Sequence, residues 1–346
     1  MVVLSLFDGI ACGLVALKKR GFSVQQYFAS EIEPNAIKVA KKNHPEIIEI
    51  GDVSKIAYKD GILYTPTQNY KVDKIDLLCG GSPCTNFSSI GYANGMVSGD
   101  TEITSLEQYL ELKAQNVHFE GQSYLFWEYC RLLKEVNPTF FFLENVVMSK
   151  KWEQIITNAV GVPPIKINSA LVSAQNRPRL YWTNISNIST PSDKNITLDN
   201  ILSPLSVSQD VSHCLTVQRS FPRLMNKYGY IPARFNAYNA SKLNEKACAL
   251  SRGSMITSSC ATLLFVKDKN GVHTVKNGIL NGEFNSPLPD GKYNIRKLTI
   301  NEIERLQNLP DDYTYHPNVS EQKRSEMIGN GWTVDIIAHI FSFLGE

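Results

Sequence analysis

Cys84 closes the run Gly80-Gly-Ser-Pro-Cys84 directly after the apolar stretch Ile75-Asp-Leu-Leu-Cys79, so a strand would deliver its thiol to a turn stiffened by Pro83. A buried structural cysteine is the commoner role for this residue type, but a thiol at a strand end beside a ligand site is where a nucleophile is built. Glu144 follows another apolar run, Thr139-Phe-Phe-Phe-Leu143, and opens Glu144-Asn-Val146. A carboxylate placed there must be paired or have a raised pKa, and both conditions are typical of catalytic acids. Arg177 and Arg179 occupy alternate positions of Gln175-Asn-Arg-Pro-Arg179, and the proline between them favours an extended chain with both side chains on one side. A structural ion pair explains one of these arginines as readily as a substrate contact does. A cysteine hydrolase needs a histidine base, and none of the six histidines lies in these segments.

A second group of residues suits a nucleoside. The first strand-like run ends in Phe7-Asp-Gly-Ile-Ala-Cys-Gly13, a small-residue turn opening a helix, where backbone amides can approach an anionic or polar group. Tight packing alone also demands small residues in such a turn. Glu31, with Ile32 beside it, follows about 20 residues after the glycine turn, the offset that serves ribose hydroxyls. Asp52, followed by Val53, ends the next strand-like piece and could accept an adenine amino group. The turn lacks the full G-x-G-x-x-G set that a pyrophosphate favours, so a nucleoside without phosphates fits better than NAD.

These residues need a scaffold, and the first half of the chain supplies the pattern of one. Short apolar runs alternate with amphipathic stretches: strands at 2–7, 24–30, 46–50, 75–79 and 139–143, and helices at 10–20, 34–43 and 123–136. That succession predicts an α/β fold, a Rossmann-like sheet that binds ligands at the carboxyl ends of its strands. After Trp182 the text turns Ser-, Asn- and Pro-rich without helical period, and helical period returns at 299–309, 320–328 and 333–344. The expected division is 1–185 for cofactor and catalysis, 186–290 for a smaller, mostly non-helical domain, and 291–346 as a segment returning to the first.

With 346 residues, 43% hydrophobic and 20% charged, the composition is that of a globular protein with one large core and a satellite. No run approaches the 18 or more apolar residues of a membrane span, and Met1 to Phe7 enters a strand without a basic leader, so a cytoplasmic location is expected. Seven cysteines without a C-x-x-C pair point to a reducing compartment, with neither disulfides nor structural zinc. Net charge is only +2, yet 14 Lys/Arg stand against 7 Asp/Glu between Asn184 and Lys297, leaving 21 against 26 elsewhere. A basic segment on a mildly acidic body is compatible with a polyanion partner and equally with a solvated surface.

Taken in order, these segments resemble the cytosine-5 DNA methyltransferases. Phe7 to Gly13 is similar to the family's cofactor turn, Gly81-Ser-Pro-Cys84 to its nucleophile motif, Glu144-Asn-Val146 to its glutamate motif and Gln175 to Arg179 to its QxRxR motif. Arg296 to Gln307 resembles the segment opening the family's last part, and Gly329-Asn-Gly331 its closing motif. Leu4-Ser-Leu-Phe-Asp-Gly-Ile10, Glu144-Asn-Val-Val147 and Trp332-Thr-Val334 are worded like the catalytic domains of mammalian de novo DNA methyltransferases, while the compact length looks like a bacterial or phage enzyme. Thr85 replaces a frequent glutamine, Gly331 a usual serine or alanine, and the stretch from Gly91 to Gly121 is longer than in most members.

The resemblance implies S-adenosylmethionine as cofactor, duplex DNA as partner, no membrane, no metal and a chain able to act as a monomer. It implies Cys84 as the nucleophile on carbon 6 of cytosine, Glu144 at N3 and the amino group, Arg179 at O2 and Arg177 supporting the loop that bears the thiol. Cofactor contacts are implied for Phe7, Asp8, Gly9, Ile10, Glu31, Ile32, Asp52, Val53, Pro83, Asn330 and Trp332. The target base must leave the stack. Ser88 and Ile90 are expected at the DNA, with Ile90 filling the vacated space, and Arg219, Arg223 and Arg252 in the basic region are expected at phosphates or bases. A tRNA cytosine methyltransferase and a catalytically silent DNA-binding relative are the alternatives.

Overall fold

The computed structural model describes residues 1–83, 96–98, 101–119, 121–203, 213–218, 247–248, 260–267, 269–282, 284–285 and 290–345. The chain divides into two compact units. The first comprises Met1–Asn168, Pro178–Thr190 and Ile336–Glu346, and the second Ser169–Arg177 and Pro191–Asp335. The second unit thus takes in 169–177 and 291–335 beyond the smaller domain expected from the sequence.

The first unit is built on a seven-stranded sheet. Its strands are β1 (Val2–Leu6), β2 (Gln26–Ser30), β3 (Ile48–Glu49), β4 (Leu77–Gly80), β5 (Phe140–Val146), β6 (Ile165–Asn168) and β7 (Pro178–Thr183), in the order β6-β7-β5-β4-β1-β2-β3. Neighbours from β5 to β3 run parallel, whereas β7 is antiparallel to both β5 and β6. The direction of strand succession reverses at β1, flanked by β2 and β4, which makes the carboxyl edge there a switch point where open α/β sheets bind ligands.

Both faces of the sheet are covered, which is why the strands read as continuous apolar runs instead of alternating. Leu4, Leu6, Phe28, Leu78, Leu143, Leu180 and Trp182 join one core cluster. That cluster also holds Tyr109 from α3 (Leu106–Ala114), Phe126, Trp127, Tyr129 and Leu132 from α4 (Phe126–Val136), and Trp152 and Ile156 from α5 (Lys150–Val160). The intervening residues Val3, Ser5, Tyr27, Cys79, Phe142 and Tyr181 are buried as well. On that side the Phe142 ring meets Phe341 edge-on at 5.3 Å. Gly80 is required by close approach: a Cβ there would lie 3.0 Å from the Leu6 carbonyl oxygen and 3.2 Å from the Tyr129 ring. Pro34 stands in the first turn of α2 (Pro34–Asn43), whose preceding residue Glu33 caps the Asn35 amide.

Several elements were not predicted from the sequence. β3 shrinks to two residues, and α3, α5 and a small three-stranded sheet (Ala57–Lys59, Ile62–Tyr64, Asn69–Lys71) are additional. α3 lies inside the long Gly91–Gly121 stretch.

The second unit contains a six-stranded antiparallel sheet in the order His213–Gln218, Cys260–Lys267, Gly291–Lys297, His273–Lys276, Ile279–Leu280, Phe284–Asn285. It also contains the helices Ile300–Leu306 and Glu321–Asn330, the first opened by a reciprocal Thr299/Glu302 capping box. Among the described residues, no helix is long and apolar enough to cross a membrane, and no group of three His, Cys, Asp or Glu could hold a metal ion.

Candidate active site

The chain leaves β1 through Phe7 at φ 58° and Gly9 at φ 62°, two left-handed positions in one short turn. A Cβ on Gly9 would meet nothing within 4 Å, so the turn faces open space. A third left-handed residue, Ala11, precedes α1 (Cys12–Lys19), and no side chain caps that helix. Glu31 fastens the turn from the end of β2. Its Oε2 accepts from the Gly9 amide at 2.8 Å, and its Oε1 accepts from the Ile32 and Glu33 amides at 2.7 and 2.8 Å. Glu31, expected from the sequence at ribose hydroxyls, thus holds the glycine turn in shape. Ile32 beside it is 64% exposed, a large apolar side chain facing outward next to the carboxylate.

Asp8 is held differently. Its Oδ1 accepts from Ser5 Oγ and Tyr27 OH, both at 2.6 Å, while its Oδ2 is buried without a hydrogen-bond partner. Burial pushes the Asp8 carboxyl up to about 6, against the two hydrogen bonds, with Glu31 adding to the rise. Glu49, at the end of β3, has both oxygens buried and unpartnered, and burial with the nearby Asp8 and Glu31 raises it to about 7. Asp52 turns inward to its own segment. Its Oδ1 accepts from the Ser54 amide at 2.9 Å and Ser54 Oγ at 2.8 Å, capping the short helical turn Val53–Lys55, in which Val53 is buried. A cationic nucleoside fits this set: an open glycine turn, carboxylates at three adjacent strand ends, and orphaned carboxylate oxygens on Asp8 and Glu49. Cys79 faces Ser5 on the adjoining strand, and burial pushes its thiol up to about 12, which makes it inert.

Farther along the same edge, Glu144 Oε1 is 3.0 Å from Arg179 Nε, with the two side chains 12% and 14% exposed. Of the two conditions expected for Glu144, pairing is the one observed. Arg179 reaches this edge because β7 runs against β5: its early residues lie beside the end of β5, with Arg179 opposite Val146. Asn145, buried between them, donates from Nδ2 to the Ser82 carbonyl at 3.3 Å and Ser82 Oγ at 3.1 Å. It thereby ties the end of β5 to the turn that leads through Pro83 toward Cys84. The apolar run around Asn145 contains the only signal that could have marked this role, a buried amide with four hydrogen-bonding positions to satisfy.

Arg177 belongs to the second unit and is buried. Its guanidinium donates to the Gly329 and Gly331 carbonyls, each at 3.0 Å. The two arginines expected side by side thus end on different partners, Arg179 on a carboxylate and Arg177 on the Gly329-Asn-Gly331 backbone. Gln307 holds the same backbone from Nε2, bonding the Ile328 carbonyl at 3.1 Å, while its Oε1 accepts from Thr333 Oγ1 at 2.7 Å. Asn330 is exposed and Trp332 is buried beside it. The sequence offers Gln307 only as the end of the stretch Arg296 to Gln307, with no role of its own. Cys84, Ser88, Ile90, Arg219, Arg223 and Arg252 lie outside the described residues.

A family model described as C-5 cytosine-specific DNA methylase matches residues 1–158 and 169–346. The orphan methyltransferase M.SPRI of Bacillus phage SPR is 36% identical over 192 residues, which cover 52% of this chain and 36% of that protein. The chain therefore spans about a third of that relative's length. The Type II methyltransferase M.FnuDI of Fusobacterium nucleatum is 22% identical over 366 residues, covering 97% of this chain and 92% of its own. The solved structure of the Entamoeba histolytica methyltransferase EhMeth superimposes with a TM-score of 0.62 at 15% identity, covering 99% of this chain and 97% of that one. The sheet described above is the fold shared with such methyltransferases.

Proposed function

The chain belongs to the C-5 cytosine-specific DNA methylases, and from that footing we propose that it methylates carbon 5 of a cytosine flipped out of duplex DNA, with S-adenosylmethionine as donor and Cys84 as covalent nucleophile. The observation that carries this reading is the sheet edge of the first unit. Nucleoside-type carboxylates, the turn leading to Cys84 and the Glu144–Arg179 pair follow one another on adjacent strands of it.

Carbon 5 of cytosine is too weak a nucleophile to take a methyl group unaided. Cys84 as thiolate adds to carbon 6 and pushes electrons toward carbon 5. Glu144 holds N3 and the amino group as charge develops on the ring, and Arg179 meets O2. Bound S-adenosylmethionine supplies an electrophilic methyl on sulfur. Loss of the carbon 5 proton then expels Cys84 and restores the aromatic ring. Asp8, Glu31, Asp52, the Gly9 turn and Ile32 serve the cofactor, joined by Phe7, Ile10, Val53, Pro83, Asn330 and Trp332. Arg177 orders backbone in place of touching the base. The basic stretch within 186–290 supplies phosphate contacts and target reading, and the enzyme works at DNA in a bacterial or phage-infected cell.

Incubation with duplex DNA containing 5-fluorocytosine tests the mechanism, because fluorine blocks the last elimination. A covalent complex that Cys84→Ser abolishes is expected. Absence of any trapped complex during turnover would overturn it. Labelled S-adenosylmethionine offered with duplex DNA or tRNA separates the two substrate classes, and label on tRNA alone would replace DNA as the substrate.

A further inference from the structure

The turn Val53–Lys55 that follows Asp52 is only three residues long, closed by the Lys55 amide on the Asp52 carbonyl at 3.0 Å and by a long bond from the Ile56 amide to the Val53 carbonyl at 3.4 Å. Cations from two helices reinforce it at the carbonyls. Arg131 of α4 donates from one terminal nitrogen to the Val53 carbonyl at 3.2 Å and to the Ile56 carbonyl at 2.8 Å. Lys113 of α3 reaches the Ser54 carbonyl at 3.4 Å.

Neither cation is loose. Arg131 Nε binds Glu128 Oε2 at 2.7 Å, and its other terminal nitrogen binds Glu135 Oε1 at 2.6 Å. Glu135 Oε2 accepts from the Tyr58 amide at 2.9 Å, just past the turn. Lys113 pairs with Glu128 Oε1, which also accepts from Tyr109 OH at 2.5 Å. Glu128 itself is wholly buried, a charge that is tolerable only with such partners. Pairing on Glu128 explains where this carboxylate finds compensation, but the carbonyl contacts explain where the cations point. An ion pair alone does not require both cations to end on the backbone of one three-residue turn.

We propose that Arg131 and Lys113 are positioning residues for the cofactor, fixing the Asp52–Val53 turn at the height a nucleoside base needs, with α3 as part of that mount. The inference rests on the reading that this turn binds the cofactor. It assigns a role to the helix inside the long Gly91–Gly121 stretch, for which the sequence offered none.

The test is calorimetric binding of S-adenosylmethionine and S-adenosylhomocysteine to the full chain, alongside thermal unfolding. The variants are Arg131→Lys, Lys113→Met and, as control, Asp52→Ala. Arg131→Lys keeps the charge on Glu128 but loses the fork, and Lys113→Met removes a partly exposed cation while keeping the stem. Each should weaken both ligands about tenfold, the size of one charge-assisted hydrogen bond. The KM for S-adenosylmethionine should rise in parallel while kcat at saturation stays within about twofold, and backbone amides 54–56 should exchange faster. Unchanged binding in both variants with Asp52→Ala weakened would overturn the positioning role and leave the cofactor turn standing. Unchanged binding in Asp52→Ala would remove the cofactor reading and this inference with it. Should Arg131→Lys fail to fold, Lys113→Met decides alone.

Discussion

Arg179 meets Glu144 diagonally: in the antiparallel register Glu144 faces Tyr181 and Arg179 faces Val146, yet Nε and Oε1 are 3.0 Å apart. A diagonal pair sits between two strands instead of across one rung, so it fixes the offset of β7 against β5 as well as the two side chains.

That arrangement makes stability and chemistry separable. Glu144→Ala leaves a mostly buried guanidinium without its carboxylate, holding the Pro178 carbonyl at 2.9 Å, and should cost about 2–3 kcal/mol. Adding Arg179→Met should recover most of that loss without restoring methyl transfer. Glu144→Gln, which keeps the shape, should lower kcat by roughly a hundredfold or more with little change in Tm. A Glu144→Gln enzyme of normal rate would remove Glu144 from the chemistry.

The apo protein should lose stability as pH rises through the neutral range. Asp8 is raised from 3.8 to about 6 and Glu49 from 4.5 to about 7. Between the unfolded and folded values the native state holds protons that the unfolded chain releases, so stability is greatest below about pH 4 for these two groups. It declines as pH climbs to about 7. The penalty at pH 8 is on the order of 2–3 kcal/mol for each group. Asp8→Asn and Glu49→Gln should flatten the Tm profile between pH 4 and 8 and raise Tm at its upper end. Profiles that stay parallel to wild type would show that neither carboxyl titrates there.

Salt should weaken DNA binding along a straight line of log affinity against log salt, steep enough to count several phosphates. Arg219→Ala and Arg223→Ala should each reduce the slope by about one if they lie on phosphates. An unaltered slope would move the phosphate contacts elsewhere.

Ile90→Gly should slow methylation of paired DNA while largely sparing substrates whose target cytosine is mismatched or opposite an abasic site, where flipping is cheaper. Equal loss on both, with lowered Tm, would make Ile90 ordinary core.

The central strands and their order of motifs could be read from the amino acids because a parallel sheet buried on both faces writes itself as Val-Val-Leu-Ser-Leu or Phe-Phe-Phe-Leu, without ambiguity about which face is wet. α2 was equally plain, since Pro34 and the preceding Glu33 mark its start. α3 and α5 were harder. Leu106-Glu-Gln-Tyr-Leu-Glu-Leu-Lys-Ala114 carries its polar residues through the period, and two of its inward positions, Tyr109 and Lys113, are there for Glu128. Pairings such as these are long-range, and no local spacing announces them. Alternation put Arg177 and Arg179 on one side of an extended segment, but the strand begins only at Pro178, so the rule did not extend back to Arg177. Glu49 is not legible as a buried carboxyl, because a glutamate near the end of a strand-like run at 46–50 reads as solvated surface, whereas both its oxygens are buried.

Gly80 has one further consequence. Because the Leu6 carbonyl approaches where its side chain would be, β1 and β4 are drawn together at the very rung from which the glycine turn and the turn toward Cys84 depart. Adjacent strands are about 4.8 Å apart, and at this rung that spacing depends on the side chain missing from position 80. A methyl at position 80 would press on the Leu6 carbonyl and the Tyr129 ring, so the two strand ends, and the turns that leave them, would have to part.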